Sequence, residues 1–293
     1  MVQYFNKFLT NQQNISSEIL TVEGDFDAAR LEVLVSCMHQ SGMDIVSESN
    51  ITGSAVVINQ CDKSSYCEML TKNGRARMFS TTARGLTVSR NEAIRRSNAE
   101  ICLLCDDDEV FEEDYESGIL KAYDKLSDAD VIIFKMTNRK PSFKDKIQRL
   151  RFPKTMRVSS WQISFRRESL LKSGVRFDEL LGAGSGNGAE EELKFLCDCE
   201  KAGLRIYYVP FKIAFVGHSG STWFNGYDEK FFYNRGSTTR YILGAFTASL
   251  YALYYVVKKR EKYKGSISFA CALKAIFKGI KDNKIYKLSK QGS

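Results

Sequence analysis

Residues 101–109 read Ile-Cys-Leu-Leu-Cys-Asp-Asp-Asp-Glu, an apolar run of strand length that ends abruptly in four acids. In open α/β sheets, ligands bind at the carboxyl ends of the strands. Two interpretations fit the acids, a bound cation and a solvated turn that caps the next helix. Mg²⁺ and Mn²⁺ take carboxylate oxygens and are often shared with substrate phosphates. In a strand, Asp106 and Asp108 can approach one ion while Asp107 points elsewhere.

Apolar segments on both sides of this run predict the remainder of the domain. Strands are predicted at residues 31–36, 55–59, 131–134, 158–165 and 206–209, and helices at 85–97, 112–126 and 189–202. Strands that alternate with helices favour a mostly parallel sheet in an α/β domain. We expect Pro210 to end the last strand, and we place the domain at residues 1–233 with a C-terminal appendage at 234–293.

The eight cysteines raise the question of a metal or redox site, because Cys102 and Cys105 form a CxxC pair. Residues three apart in a strand point to opposite faces, so these thiols cannot share an ion. We expect reduced, mostly buried thiols in a cytosolic protein. The first seven residues also lack the basic region and apolar stretch of a signal peptide.

The charge of the 293-residue chain is concentrated at one end. There are 43 Lys and Arg against 35 Asp and Glu, a formal net charge of +8. Eleven of the cations and only two acids lie from Lys258 onward, which leaves residues 1–257 at −1. With 43% apolar and 27% charged residues, wholesale disorder is excluded. A near-neutral body disfavours nucleic acid as its partner, whereas a basic tail suits an anionic surface.

Residues 182–188 (GAGSGNG) predict a mobile loop, since four glycines in seven residues weaken any regular element. Its pattern is not that of a phosphate-binding glycine loop, and a loop over an acceptor site suits it better. Glu190, Glu191 and Glu192 follow at the start of a predicted helix. They are either acids stabilised by the helix dipole or, where Glu191 or Glu192 turns inward with Phe195, a general base.

Two basic segments have open alternatives. Residues 135–157 carry nine cations against one acid, either as a solvated loop or as a site for the diphosphate of a lipid-linked acceptor. Residues 241–257 carry no charge and lie at the lower limit for a membrane span, and their four tyrosines suit a membrane interface. The helix predicted beyond residue 267 has an apolar face (Phe269, Leu273, Ile276, Phe277 and Ile280) opposite lysines. This pattern predicts attachment to an anionic membrane surface, with a span or packing against a protein as alternatives.

Taken in order, these motifs resemble family 2 glycosyltransferases of the GT-A type, over residues 31–215. The resemblance rests on the strand at 55–62 with its terminal acid, GLTVSRN at 85–91, the DxD at 106–108, FDE at 177–179, LGAG at 181–184, and the glutamate pair before Phe195 and Leu196. It implies a Rossmann-like, mixed, mostly parallel sheet flanked by helices, with a C-terminal helical appendage. The chain looks especially like bacterial enzymes that build capsular, exopolysaccharide or O-antigen repeat units.

The resemblance implies a role for each candidate residue. It assigns Asp108 and Asp106 to a Mn²⁺ or Mg²⁺ ion. The donor nucleotide would contact Ser36, Asp62, Arg90, Asn91, Asp106 and Asp107. The catalytic base would be Glu192 or Glu191, because the third glutamate leaves the register open by one.

Three further residues lie beside these motifs. Gly184 belongs to the loop over the acceptor. His218 is a candidate metal ligand or a structural polar residue, and Trp223 either stacks on an acceptor sugar or packs in the protein.

The expected activity is an inverting, metal-dependent transfer of a sugar from a nucleotide-sugar, UDP-linked, to a hydroxyl of a lipid-linked oligosaccharide in bacterial surface polysaccharide synthesis. The departing diphosphate needs a cation, and one carboxylate base opposite it gives a single displacement. We expect a peripheral protein on the cytoplasmic face of the membrane, and a homo-oligomer is compatible with the sequence. The alternatives are a non-catalytic membrane-surface scaffold or binding protein and a GT-A-like nucleotidyltransferase, whose usual glycine-rich basic loop is missing.

Overall fold

The computed structural model describes residues 29–187, 190–217 and 226–291. Within these ranges the strands are β1 (Leu31–Met38), β2 (Ser54–Gln60), β3 (Ser65–Leu70), β4 (Arg75–Thr81), β5 (Ile101–Asp106), β6 (Glu109–Phe111), β7 (Val131–Met136), β8 (Gln148–Leu150), β9 (Ile163–Arg166) and β10 (Ile206–Val216). The helices are α1 (Asp44–Glu48), α2 (Leu86–Arg96), α3 (Tyr115–Lys125), α4 (Arg167–Ser173), α5 (Glu191–Lys201), α6 (Glu229–Lys258), α7 (Arg260–Tyr263), α8 (Phe269–Asp282) and α9 (Lys284–Gln291).

The ten strands of the described residues form one sheet in the order β3-β4-β2-β1-β5-β9-β7-β10-β6, with β8 paired to β10. β4, β2, β1 and β5 run parallel to one another, as do β7 and β10. β9 runs antiparallel between β5 and β7, so the carboxyl ends of β5 and β7 lie at the same edge. The predicted mixed, mostly parallel sheet flanked by helices is confirmed.

β5 is buried on both of its faces. Cys102 belongs to the apolar cluster on one face of the sheet and Cys105 to the cluster on the other. Both thiols are free and buried, and none of the eight cysteines forms a disulfide. The CxxC pair is therefore a consequence of strand periodicity, as predicted.

A topological switch point lies between β1 and β5. The chain leaves β1 for β2 and β4 on one side, and then returns to place β5 on the other. Connections on either side of such a point diverge and leave a crevice beyond the carboxyl ends of the strands. Ser36 of β1 pairs in register with Asp106 of β5 at this point. The sheet thus brings the predicted donor residues Ser36 and Asp106 together.

Two predictions about the second half were wrong. β10 continues through Pro210 to Val216, and its register with β7 shifts between Val209 and Lys212. An irregularity in the ladder accommodates proline, which has no N–H to donate. The strand predicted at 158–165 begins only at Ile163, because residues 160–162 form a 3-10 turn.

The C-terminal helices pack on one another. α6 begins at Glu229, so the predicted boundary at residue 233 lies inside a helix, and α6 kinks at Gly244, where φ is 79°. Gly236 of α6 and Gly279 of α8 lie so close to the facing backbone that a Cβ at either would collide with it. Within the described ranges, no helix combines the length and apolarity that crossing a membrane requires.

The face of α8 predicted to lie in a membrane is largely covered by protein. Ile276 and Ile280 are buried in a cluster with Phe232 and Tyr255 of α6. Only Phe269, at the start of α8, stays well exposed. The amphipathic pattern therefore serves helix packing over most of its length.

Candidate active site

Serines line the end of the strand pair that forms the switch point. The N-terminal end of α2, which begins at Leu86, lies at this edge of the sheet. There, Ser89 Oγ donates a hydrogen bond of 2.9 Å to Ser36 Oγ. Both serines are buried. The contact fixes α2 against the carboxyl end of β1, and it places the next residue of α2, Arg90, beside β5.

Arg90 joins the two acidic motifs. Its side chain is 1% exposed, with Nη2 2.8 Å from Asp106 Oδ1 and Nη1 3.3 Å from Glu191 Oε1. The guanidinium also lies 5.4 Å from the centre of the Phe177 ring. A buried cation requires such partners, because the protein interior does not solvate it. The end of β5 and the start of α5 therefore meet at one buried arginine.

The acids of residues 106–109 crowd negative charge at the end of β5. Asp106 Oδ2 accepts a hydrogen bond of 2.8 Å from Ser160 Oγ, so both of its oxygens are engaged. Glu109 Oε1 accepts from the Asp106 N–H, while its buried Oε2 has no hydrogen-bond partner among the described residues. Burial, followed by the charge of Asp106, raises the pKa of Glu109 and that of Asp107. The Asp108 carbonyl accepts from the Gly217 N–H at 2.7 Å, which ties this turn to the end of β10.

The glutamates at the start of α5 differ in environment. Glu191 is buried and holds Arg90, and its second oxygen, Oε2, has no hydrogen-bond partner among the described residues. Glu192 keeps partial exposure. Burial and the neighbouring Glu191 raise the pKa of Glu192 to about 8, while Arg90 opposes that shift. A carboxylate with a pKa near the working pH, partly open to solvent, suits a general base.

The glycine loop lies directly over the start of α2. The Leu86 N–H donates to the Ala183 carbonyl at 3.0 Å, and a Cβ on Gly184 would lie 3.1 Å from the Gly85 Cα. Gly182 and Gly184 have φ of 90° and 87°, which other residues rarely adopt. The described part of the predicted mobile loop is thus anchored, and glycine is needed there for close approach.

α6 contacts both the glycine loop and the residue before α5, and the sequence alone did not predict these contacts. Arg235 Nη1 lies 2.6 Å from Glu190 Oε1 and 3.0 Å from the Tyr251 hydroxyl, and its guanidinium lies 4.3 Å from the centre of the Tyr255 ring. Thr238 Oγ1 donates to the Asn187 carbonyl at 3.1 Å. No local sequence pattern marks Arg235, since its partner lies 45 residues earlier in the chain.

The remaining predicted site residues that the structure describes, Asp62 and Asn91, have other partners. Asp62 is exposed and pairs with Arg84 at 2.8 Å. The Asn91 side chain donates to the Phe177 carbonyl and accepts from the Phe177 N–H, each at 2.9 Å, so it holds the 177–179 segment against α2. His218 and Trp223 lie outside the described residues.

No group of three or more His, Cys, Asp or Glu side chains in the described ranges is arranged to hold a metal ion. The carboxylates at 106–109 nevertheless provide hard oxygen ligands, and Glu109 Oε2 is one buried oxygen without a partner there. Mg²⁺ characteristically uses one or two carboxylates and completes its shell with water and substrate phosphates. The residues present fit an ion shared with a substrate rather than an all-protein site.

Comparison with known proteins finds a family model that matches part of the chain and solved structures that share its fold. Residues 56–178 match the family model described as Glycosyl transferase family 2. No curated protein sequence matches the chain. S. aureus TarS 1-349 in complex with UDP-GlcNAc superposes with a TM-score of 0.56 at 13% identity, covering 90% of this chain and 92% of that chain. The complex of TarS 1-349 with UDP gives 0.56 at 14% identity and the same coverage.

The longer TarS structure has a TM-score of 0.52 at 12% identity, and this chain spans 44% of its length. Likeness at such low identity concerns the fold. The matched segment contains α2, with Arg90, and β5, with the acidic strand end. Residues 56–178 thus resemble family 2 glycosyltransferases, and the chain shares the fold of TarS.

Proposed function

We propose that the chain transfers a sugar from a UDP-linked donor to a hydroxyl of a lipid-linked oligosaccharide, with inversion, in bacterial surface polysaccharide synthesis. The observation that carries the proposal is the Arg90 bridge, which joins the acidic end of β5 to the glutamate pair of α5. One side of the crevice then offers carboxylates for a metal-bound diphosphate. The other side offers a carboxylate that accepts a proton.

The topology supports the proposed position of the donor. Ser36 and Asp106 lie at the switch point, where α/β sheets bind nucleotides. TarS 1-349, which shares the fold, has been crystallised with UDP-GlcNAc and with UDP. Both observations support a UDP-sugar as the donor.

Mn²⁺ or Mg²⁺ is proposed as the cofactor, with Asp108 as its principal ligand. Both oxygens of Asp106 already accept hydrogen bonds, from Arg90 and from Ser160. Such an ion, when bound, neutralises charge that develops on the departing nucleoside diphosphate. Burial and the neighbouring acids raise the pKa of Asp107 and that of Glu109, as expected where carboxylates are crowded without a cation among them.

Glu192 is proposed as the base. It removes the proton from the acceptor hydroxyl as that oxygen attacks the anomeric carbon, and the bond between that carbon and the diphosphate oxygen breaks. Attack from the side opposite the leaving group inverts the configuration. Glu191 is less suited, because it is buried and paired with Arg90. General base catalysis of this kind contributes about 10²–10⁴-fold.

Peripheral attachment to the cytoplasmic membrane face is proposed through α6 rather than α8. Beyond the kink, α6 exposes an apolar stripe of residues spaced on one helical face, namely Phe246, Leu250, Leu253, Tyr254 and Val257. The exposed Lys258 and Arg260 follow the stripe directly. An apolar helical face beside clustered cations matches the interface of an anionic bilayer.

Two substitutions test the catalytic proposal. We expect D108N and E192Q each to lower metal-dependent release of UDP from UDP-sugars, with acceptor present, by about 10²-fold or more. E168Q is the matched control, because Glu168 is an exposed acid of α4 paired with Lys172. Unchanged turnover in both D108N and E192Q would contradict these two assignments, whereas unchanged biological function in both, with no turnover in wild type, would favour the non-catalytic scaffold.

A further inference from the structure

A cavity lies at the same edge of the sheet as the proposed active site. It has a volume of about 200 Å³ and is lined by residues that include Lys135, Arg139, Lys140, Trp161 and Tyr208. Lys135 belongs to the end of β7, and Arg139 and Lys140 follow it. The cavity therefore uses the first part of the basic segment 135–157, whose charge the proposed catalytic steps do not use.

The hydroxyl of Tyr208 indicates a missing partner. Tyr208 is 1% exposed and lines the cavity, yet its hydroxyl has no hydrogen-bond partner among the described residues. An unpaired buried hydroxyl destabilises the folded protein. A phenol can donate a hydrogen bond to an oxygen placed in the cavity.

The charge around the cavity favours an anion. Arg139 lies 5.5 Å from the centre of the Trp161 ring and makes one long contact, 3.4 Å, with the Gly217 carbonyl. Lys135 Nζ pairs with Asp145 Oδ1 at 3.0 Å, and Asp145 is exposed. Three cations against one exposed carboxylate leave a net positive cavity, and guanidinium groups bind phosphate oxygens through paired hydrogen bonds.

The cavity and the acidic strand end are neighbours. The 3-10 turn at residues 160–162 separates them. Ser160 donates to Asp106 Oδ2, while Ser159, Trp161 and Gln162 line the cavity. One turn of chain thus has the proposed donor site on one side and a basic, aromatic cavity on the other.

We infer that this cavity binds a phosphate or diphosphate group of the acceptor. The inference rests on the proposed function, since it places the acceptor beside the donor crevice. The Tyr208 hydroxyl and the Arg139 guanidinium donate hydrogen bonds to the phosphate oxygens, and Lys135 and Lys140 supply charge. A saccharide attached to that phosphate would extend from the cavity past Ser160 toward Asp106, which Arg90 links to Glu191.

The test is calorimetric titration of inorganic pyrophosphate into the full chain held in excess UDP, which occupies the donor site. We expect R139Q to weaken pyrophosphate binding about tenfold or more and Y208F several-fold, in line with the strength of charge-assisted hydrogen bonds. R151Q is the matched control, an exposed cation of the same segment that does not line the cavity, and its affinity should stay within about twofold of wild type. Thermal unfolding of Y208F should show unchanged or higher stability, because only an unpaired hydroxyl is removed.

The two proposals fail differently. Absence of pyrophosphate binding, or equal weakening in R139Q and R151Q, overturns the inference and leaves UDP binding and donor turnover intact. Loss of UDP binding in wild type with normal pyrophosphate binding overturns the donor assignment instead. Farnesyl diphosphate in place of pyrophosphate distinguishes the source. Tighter binding of the prenylated compound indicates a lipid-borne phosphate, and equal binding indicates a phosphate group recognised by itself.

Discussion

Arg90 is the residue on which the proposed site depends. It is buried and binds carboxylates from two distant parts of the chain, Asp106 and Glu191. A lysine could not replace it, because one ammonium cannot span two carboxylates in the fixed geometry of a guanidinium fork. Its loss would leave both acids without their shared cation, and breaking a buried pair typically costs about 3–5 kcal/mol.

The raised pKa of Glu192 gives a pH prediction. A base works only when deprotonated, so kcat/KM should rise with pH along a limb whose apparent pKa lies near 8, the pKa of Glu192 in the free protein. Initial rates with acceptor well below its KM over a pH series measure this limb. It should be absent from the residual activity of E192Q.

Protein stability provides the control for that assignment. The pKa of Glu192 is raised on folding from 4.5 to about 8, so the folded state binds more protons between these values. The stability contributed by this group is therefore present at low pH and is lost as pH rises through about 8. E192Q should gain melting temperature relative to wild type above pH 8 and lose that gain below pH 4.5. A pH-independent difference would show that another group titrates.

Sequence reasoning found several residues of the site but not their partners. The acids at 106–108 and the glutamate pair follow from strand ends and helix starts, which are local patterns. Ser160 and Tyr208 have no such pattern, because their importance comes from neighbours that only the folded sheet brings together. The effect of Asn91 on Phe177 was likewise invisible, since amide hydrogen bonds across 86 residues leave no spacing to recognise.

At the scale of elements, α6 acts as a support for the start of α5. Glu190 precedes the two candidate bases and adopts φ of 85°, a left-handed conformation that is unfavourable for a residue with a Cβ. The ion pair with Arg235 stabilises this conformation. We therefore expect Arg235 to act as a positioning residue for Glu191 and Glu192.

Substitution of Arg235 tests that role. We expect R235Q to lower kcat about 10–100-fold, because small misplacement of a base is costly, while KM for the donor changes less than about threefold. R235K should recover part of kcat, since it restores the charge opposite Glu190. R240Q, on the same helix, is the control. A rise in donor KM with unchanged kcat would contradict a positioning role.

Element types were predictable where hydrophobic periodicity is strong, as in β5 and α5. The hairpin of β3 and β4 was missed because β3 is largely exposed and β4 buries only two apolar side chains, Ala76 and Met78. The passage of β10 through Pro210 was missed because a bulge, set by its pairing with β7, absorbs the proline. Tertiary pairing decided both cases.

At the scale of the whole molecule, the +8 charge and the exposed apolar surface both favour binding to an anionic membrane surface. The stripe from Phe246 to Val257 lies immediately before the basic segment that begins at Lys258. Phe246 is 77% exposed and Val257 is 64% exposed. An apolar helical surface next to a net charge of +9 suits an anionic bilayer.

The double variant F246S/L250S tests this surface. Burial of each such side chain is worth about 1.5–3 kcal/mol, so the variant should bind anionic vesicles about a hundredfold or more weakly in sedimentation assays. The folded core should be unaffected, because both side chains are exposed. L171S, an exposed leucine of α4, is the control. Equal binding of wild type and variant would exclude the stripe as the attachment surface.

The sheet and its flanking helices were predictable from the sequence as a whole, but the arrangement of the tail was not. An amphipathic helix has the same pattern whether its apolar face meets lipid or protein. In α8 that face meets α6, through the close approach at Gly236 and Gly279. The lack of a side chain at Gly236 and Gly279 permits this close approach, but the sequence alone does not show that the two helices pack against each other.

The support that α6 gives to Glu190 has a consequence for biosynthesis. A ribosome delivers the sheet and α5 before Arg235, Thr238 and Tyr241 emerge, and α8, which packs against α6, emerges later still. Tyr241 binds Asp178 through its hydroxyl, so three contacts on the proposed catalytic region come from residues translated after it. During synthesis, the proposed catalytic glutamates therefore gain these contacts only after α6 has been translated.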